Sequence, residues 1–194
     1  MKKTEKEIIN NLFEFLDYLN IKKDTNTIDT PKRMIKAWQE MCRGIGKKED
    51  IKKLFSTTFP SNYTGMVSQG PIIIYSLCAH HLLPMSYEIF IGYIPNKKII
   101  GLGKISKIIA LLAAKPQNQE DLTQDIADQF KKHLKPEGIG VVIKGRHECM
   151  FCRNNGVNDQ DAFNITSAVR GSFRKNAATK EEFFKNINII KSKY

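Results

Sequence analysis

Two short segments rich in cysteine and histidine constrain the fold of this chain more than any other feature. The first reads Cys78-Ala79-His80-His81, and the second reads His147-Glu148-Cys149. Thiolate and imidazole are the ligands that zinc prefers, and a Cys-x-x-His spacing lets one loop present both groups to one ion. A third ligand would come from the second segment. The fold must therefore bring two distant parts of the sequence together, with Cys78, His81 and Cys149 as the predicted metal ligands.

Cys152 leaves a second arrangement open. Cys149 and Cys152 form a Cys-x-x-Cys pair, so four ligands could close a structural site that has no position for a reactant. However, the two pairs lie much further apart than in a zinc finger, and His80 and His147 would have no structural task. Histidines beside a metal ion suit proton transfer, because an ordinary pKa of about 6.5 lets them donate and accept near neutral pH. These histidines favour an open, catalytic site.

The composition indicates an ordinary soluble protein. Hydrophobic residues make up 41% and charged residues 26% of the 194 positions, and no apolar run approaches the roughly 20 residues of a membrane span. Acidic and amide side chains interrupt the N-terminal apolar pattern, which speaks against a signal peptide. Four cysteines are too few for a disulfide framework, so reduced thiols in the cytoplasm are expected. The net charge of +11 suits an anionic partner, and lysines scattered over a solvated surface explain it equally well.

Apolar periodicity predicts an α+β fold in which two helices follow the first part of an antiparallel sheet. Strands are expected at 72–75, 88–94, 99–102 and 139–143, with a hairpin turn at 95–98. Helical spacing predicts helices at 4–20, from residue 30 to about residue 44, at 105–112, at 122–134 and at 180–188. The expected organisation is an N-terminal helical segment, residues 1–60, followed by a catalytic domain, residues 61–194.

Several separated motifs occur in a fixed order along most of the chain. They are Asp29-Thr30-Pro31-Lys32-Arg33, Cys78-Ala79-His80-His81-Leu82-Leu83-Pro84, Ile91-Gly92-Tyr93-Ile94-Pro95, Gly101-Leu102-Gly103-Lys104, Gln117-Asn118-Gln119-Glu120, His147-Glu148-Cys149-Met150, Thr166-Ser167-Ala168 and Thr179-Lys180-Glu181-Glu182-Phe183. With these motifs the sequence resembles the GTP cyclohydrolase I family, zinc hydrolases of the tunnelling fold. The resemblance implies an antiparallel sheet with two helices on one face. It also implies conversion of GTP to 7,8-dihydroneopterin triphosphate and formate.

The resemblance assigns the metal and the catalytic groups. Cys78, His81 and Cys149 would bind zinc, which leaves Cys152 outside the ligand set. Zinc-activated water would attack C8 of the guanine. His147 would assist protonation at N7 as the imidazole ring opens, and His80 would help to open the ribose.

The resemblance also assigns the substrate-binding residues and the assembly. Gln119 and Glu120 would bind the guanine, since a carboxylate can accept two hydrogen bonds from adjacent N–H groups. Lys104, Lys107 and Arg153 would bind the triphosphate, with Lys104 near the free N–H groups at a helix start. The implied assembly is a homodecamer of two pentameric rings with active sites shared between subunits, so one chain would look incomplete.

The chain departs from the family pattern around the expected phosphate site. The family usually has Glu, Ser, Arg and Arg where this chain has Ala79, Gly103, Lys107 and Asp121, and two residues are inserted at Asn154-Asn155. Lysine lacks the planar guanidinium with which arginine grips a phosphate. A zinc enzyme acting on another purine nucleotide or a pterin is therefore the alternative. A basic binding module with a structural zinc is the third hypothesis, but the basic residues are dispersed and no aromatics are interleaved along a basic stripe, so nucleic acid is not an expected partner. A membrane is not expected either, because no apolar run is long enough to span one.

Overall fold

The computed structural model describes residues 3–153 and 162–192, and the chain divides after Cys42 into two compact units. The first unit contains helices α1 (Glu5–Tyr18) and α2 (Thr30–Met41). At the start of α1, Thr4 and Glu7 form a reciprocal capping box, which satisfies two backbone N–H groups. Pro31 lies in the first turn of α2, where the missing N–H has no helical partner to lose. Both predicted N-terminal helices are confirmed.

The second unit begins at Arg43. Its strands are β1 (Thr58–Pro60), β2 (Val67–Cys78), β3 (Pro84–Ile94), β4 (Lys98–Ile100), β5 (Pro116–Gln117), β6 (Gly138–His147) and β7 (Asn164–Gly171). Its helices are α3 (Lys48–Leu54), α4 (Leu102–Ala113), α5 (Gln119–His133), α6 (Glu148–Phe151), α7 (Ser172–Lys175) and α8 (Ala177–Lys191). Within residues 3–153 and 162–192, no helix combines the length and the apolar character needed to cross a membrane.

A five-stranded sheet, in the order β5-β2-β3-β6-β7, forms the centre of this unit. Strands β2, β3, β6 and β7 are antiparallel neighbours, whereas the short strand β5 runs parallel to β2. The connection from β3 to β6 contains α4 and α5, the two helices predicted at 105–112 and 122–134. The predicted α+β class with an antiparallel sheet is confirmed.

Both faces of the sheet are covered, which explains why β3 and β6 read as nearly continuous apolar runs. On one face, α4 and α5 contribute Ile109 and Ile126 to the main core. On the other face, Phe173 of α7 and Phe183 of α8 pack edge to face, with ring centroids 5.5 Å apart, in a second cluster with Phe90. The two helices on one face are thus as predicted, and the C-terminal helices are an additional layer.

The pairing of strand β4 differs from the sequence prediction. The turn at 95–98 was expected to join two strands of one hairpin, but β4 pairs with β1 in a separate two-stranded sheet. The Ile100 backbone N–H donates to the hydroxyl of the buried Tyr93, at 3.4 Å. Strand β4 therefore packs against a side chain of β3, and the chain turns into α4 immediately after it.

Ile126 tests the packing of the helix-covered face. It is fully buried in α5, so Ile126→Ala should lower the free energy of unfolding by about 2–5 kcal/mol, because truncation loses buried contacts and leaves a cavity. Lys131→Ala, at an exposed position of the same helix, is the control and should change the value by less than about 0.5 kcal/mol. Denaturant unfolding at one fixed protein concentration measures both. If both variants lost the same free energy of unfolding, the result would contradict this packing of Ile126.

Candidate metal centre and active site

The candidate site lies at the edge of the sheet where β2 ends, β3 begins and β6 ends. Leu77 pairs with Pro84 across β2 and β3, and Met85 pairs with His147 across β3 and β6. Cys78 directly follows Leu77, and the one-turn helix α6 directly follows His147. The register of three antiparallel strands therefore brings both cysteine- and histidine-rich segments to the same edge.

A tight loop between β2 and β3 holds the first segment together. The Leu82 N–H donates to the Cys78 carbonyl and the Cys78 N–H donates to the Leu83 carbonyl, both at 2.9 Å. Leu82 adopts a φ of 53°, in the left-handed region that leucine seldom occupies. The closed loop brings the Nδ1 atoms of His80 and His81 to 3.8 and 3.6 Å from the Cys78 Sγ.

The three predicted metal ligands form one cluster. One donor atom from each of Cys78, His81 and Cys149 lies within 4.8 Å of the donor atoms of the other two. Cys78 is buried, Cys149 is half-buried and His81 is exposed, so the cluster opens toward solvent on the histidine side. Two thiols and an imidazole are a donor set that fits zinc, and three protein ligands leave a fourth position for a reactant.

Cys152 is outside this cluster in the described part of the chain. It follows α6 in an exposed position, and its Sγ donates to the Glu148 carboxylate at 3.2 Å. That hydrogen bond and the nearby negative charge of Glu148 raise the pKa of the Cys152 thiol, and the charge of Arg146 opposes the rise. The geometry therefore favours the open three-ligand arrangement over the closed one.

The pKa of the Cys149 thiol depends on the neighbouring Cys78. Burial, a hydrogen bond with Cys78 and the charge of Cys78 raise the pKa of Cys149, while a backbone hydrogen bond and Arg153 oppose the rise. Two thiolates this close repel each other unless a cation lies between them. A bound metal ion would remove the effect, because a coordinating thiol is deprotonated.

The two predicted catalytic histidines differ in their surroundings. His80 is exposed in the loop, whereas His147 is half-buried and packs edge to face with Tyr87 at 6.1 Å between ring centroids. Burial lowers the pKa of His147, and the nearby carboxylate of Glu120 opposes this shift. Burial and the charges of Glu120 and the two cysteines raise the pKa of Tyr87, which keeps its hydroxyl protonated.

The structure brings three of the five predicted substrate-binding residues to this edge. Arg153 is exposed, and its Nη1 lies 2.8 Å from the His81 Nε2. Glu120 is exposed in the first turn of α5, near His147. Gln119 is instead buried, with 1% of its surface exposed, and its Oε1 lies 2.8 Å from the His147 Nε2.

Lys104 and Lys107 lie near the start of α4, and the other end of this helix is the one near the end of β2. Both are in the first two turns of α4, and the neighbouring Ser106 accepts a hydrogen bond from Gln69 at 3.0 Å. Cys78 lies nine residues beyond Gln69 on β2, which corresponds to roughly 30 Å at about 3.3 Å per residue. These lysines therefore lie toward the end of α4 that is away from Cys78, and their phosphate-binding role stays a prediction.

The departures from the family pattern have modest local effects. A Cβ added at Gly103 would meet no atom within 4 Å, so glycine is not required there by packing. Asp121 accepts a hydrogen bond from the Asn118 side chain at 3.4 Å and, in the first turn of α5, complements the helix dipole. The Asn154-Asn155 insertion lies outside the described residues.

The structure adds residues to which the sequence analysis gave no role at the site. Thr123 and Thr166 form a buried hydrogen-bonded chain with Gln119, and Gly145 leaves the space that the Gln119 side chain occupies. Threonine and glycine in such positions are common in strands and helices for other reasons. Thr166 stands in a motif of the family resemblance, but no local sequence signal indicated its contact with Gln119 or singled out Thr123 and Gly145.

Comparisons with known proteins agree on one family. Residues 7–188 match the sequence profile of GTP cyclohydrolase I. GTP cyclohydrolase 1 from Hydrogenobaculum sp. (strain Y04AAS1) is 45% identical over 159 residues, which cover 82% of this chain and 84% of the relative. GTP cyclohydrolase 1 from Wolinella succinogenes is 36% identical over 182 residues, covering 93% and 94%. The protein of the same name from Aquifex aeolicus is 43% identical over 157 residues, covering 81% and 82%.

The metal content of two cysteine variants distinguishes the open, three-ligand site from the closed, four-ligand site. Cys149→Ser should lose the bound metal, because a hydroxyl replaces one of two thiolates, whereas Cys152→Ser should retain about one ion per chain, as expected for a single site. Elemental analysis of protein purified without added metal measures both. Loss of metal and of folding in Cys152→Ser would instead establish a four-ligand structural site.

Proposed function

The chain belongs to the GTP cyclohydrolase I family, and on that basis we propose that it is a hydrolase that opens the imidazole ring of GTP to give 7,8-dihydroneopterin triphosphate and formate. The observation that carries this proposal is the open cluster of Cys78, His81 and Cys149, with His147 two residues away. A catalytic site needs the fourth coordination position that this cluster leaves free.

The metal at this cluster is proposed to be zinc. Cys78, His81 and Cys149 would hold it, and when bound it would supply an activated water and a polarising positive charge at neutral pH. The four cysteines are free thiols, as expected for a protein of the reducing cytoplasm, which is the proposed location.

Two histidines and a carboxylate are proposed to act on the guanine and ribose. His147, held neutral by burial, exchanges a proton with the guanine ring as it opens, and the exposed His80 assists at the ribose. Glu120 accepts hydrogen bonds from the guanine N–H groups. Its exposure at the start of α5 and its electrostatic effect on His147 support this role, because both side chains must lie beside the same base.

The triphosphate is proposed to bind across a subunit boundary. Arg153 approaches the cluster of its own chain through His81, and its exposed guanidinium would bind a phosphate group of the substrate there. Lys104 and Lys107 lie toward the end of α4 that is away from Cys78 of their own chain. A second copy of the chain would supply them, in a homo-oligomer for which the decamer of two pentamers remains the specific prediction.

A turnover assay tests the activity. The zinc-loaded protein should release formate from GTP and give a pterin that fluoresces after oxidation. A chelator should abolish the activity, and added zinc should restore it. His147→Ala should retain zinc but lose roughly 10²–10⁴-fold in kcat, the usual contribution of a general acid or base. No formate from GTP with zinc fully bound would refute the proposal, and a panel of purine nucleotides would then identify another substrate.

Subunit complementation tests the shared site. Lys104→Ala and His147→Ala should each be nearly inactive as pure oligomers. Co-expressed and purified as mixed oligomers through two different tags, they should regain part of the activity, because some sites then combine an intact Lys104 with an intact His147. A mixture of Lys104→Ala with Lys107→Ala is the control, since both defects would lie on the same side of the boundary. Mixed oligomers that stay as inactive as their parents would show that one chain supplies the whole site.

A further inference from the structure

The side-chain amide of Gln119 is buried at the start of α5, between the helix and the sheet. Its Nε2 lies 3.1 Å from the Ile143 carbonyl oxygen, 3.0 Å from the Asn164 carbonyl oxygen and 3.0 Å from the Thr166 Oγ1. Its Oε1 lies 2.8 Å from the His147 Nε2. The amide therefore links strands β6 and β7 to the ring of the histidine.

Two backbone carbonyls determine which way this amide points. A carbonyl oxygen only accepts hydrogen bonds, so the atom of Gln119 that faces Ile143 and Asn164 must be the NH₂ group. The opposite orientation would place three oxygens against one another in a buried site, where an unsatisfied polar group costs about 1–3 kcal/mol. The Oε1 must consequently face His147.

The orientation of the amide in turn determines the protonation of the ring. Because Oε1 only accepts, the His147 Nε2 must carry a hydrogen and donate it. A neutral imidazole carries one hydrogen, so Nδ1 is bare. In the described part of the chain Nδ1 has no hydrogen-bond partner.

We propose that Gln119 is a positioning residue that holds His147 as the Nε2–H tautomer and leaves Nδ1 as the ring nitrogen that serves the substrate. The proposal rests on the proposed function for its kinetic consequence, but the tautomer itself does not depend on the substrate. It gives Gln119 a task different from the guanine contact that the family resemblance implies.

The surroundings of Gln119 are built to keep it in place. The Thr123 hydroxyl donates to the Gln119 carbonyl at 2.7 Å and lies 2.6 Å from the Thr166 hydroxyl. Since the Thr123 hydrogen is used, Thr166 donates to Thr123 and can accept from the Gln119 amide. A Cβ added at Gly145 would collide with the Gln119 Oε1 and lie 2.8 Å from the Tyr87 ring. Glycine at that position leaves the space that the amide needs.

Three variants of the full-length, metal-loaded protein separate positioning from substrate contact. Gln119→Leu removes the amide, and Gly145→Ala displaces it without removing a polar group. Both should lower kcat by about 10²-fold or more, as expected for loss of a correctly held acid or base, with little change in KM for GTP. Thr166→Val is the matched control, because it removes one partner of the same amide while the two carbonyls still orient it, and it should retain most of kcat.

Solid-state ¹⁵N NMR of histidine-labelled protein measures the tautomer directly. At a pH well above the ordinary histidine value of about 6.5, the His147 signals, assigned by comparison with His147→Asn, should show a protonated Nε2 and a bare Nδ1. Gln119→Leu should give a mixture of tautomers, and Thr166→Val should match the wild type. Metal content and oligomer size are compared first, so that a misfolded variant is recognised.

Two outcomes overturn the proposal. One is a wild-type His147 protonated on Nδ1, a result that stands even if both amide variants fail to fold. The other is a Gln119→Leu protein with raised KM, unchanged kcat and an unchanged tautomer, which would make Gln119 a guanine contact. If the wild type fails to turn over GTP, the proposed function fails while the NMR result still decides the role of Gln119.

Discussion

Backbone hydrogen bonds between β2, β3 and β6 hold Leu77 opposite Pro84 and Met85 opposite His147, and the candidate site depends on that register. Side chains alternate between the two faces of a strand, so a slip of one residue would turn every side chain of a strand to the other face. The metal ligands would then no longer converge. Apolar side chains are buried on both faces of the sheet, and they oppose such a slip. A slipped strand would turn each of these side chains away from its own core cluster and toward the other one.

The packing of α5 against β6 and β7 adds the second requirement of the site. It buries a polar side chain, Gln119, where water cannot replace a missing partner, so the strand carbonyls and two threonines must satisfy it. Burial also lowers the pKa of the adjacent His147, and the carboxylate of Glu120 opposes this shift. The site thus combines a half-buried side, at His147, with a side at His80, His81 and Arg153 that is exposed to solvent.

Patterns in the sequence predicted the α+β class, the helices on one face of the sheet and the residues of the metal cluster, because each depends on local spacing or on residue chemistry. They did not predict that β4 pairs with β1, since an apolar strand pattern carries no information about its partner. They also did not place α7 and α8 on the second face. The burial of Gln119 was equally hidden, because a glutamine beside a glutamate at a helix start reads as two exposed polar residues.

The amino-acid sequence by itself determined which ligands are available, since two thiols, an imidazole and two further histidines occur in only two short segments, and it determined the family. Only the tertiary structure decided which of the four cysteines meet, because convergence depends on strand register and on the direction of the Cys152 side chain toward Glu148. It likewise decided that Lys104 and Lys107 lie toward the end of α4 that is away from Cys78. Distances between remote residues follow from the packing of whole elements, which no short stretch of sequence specifies.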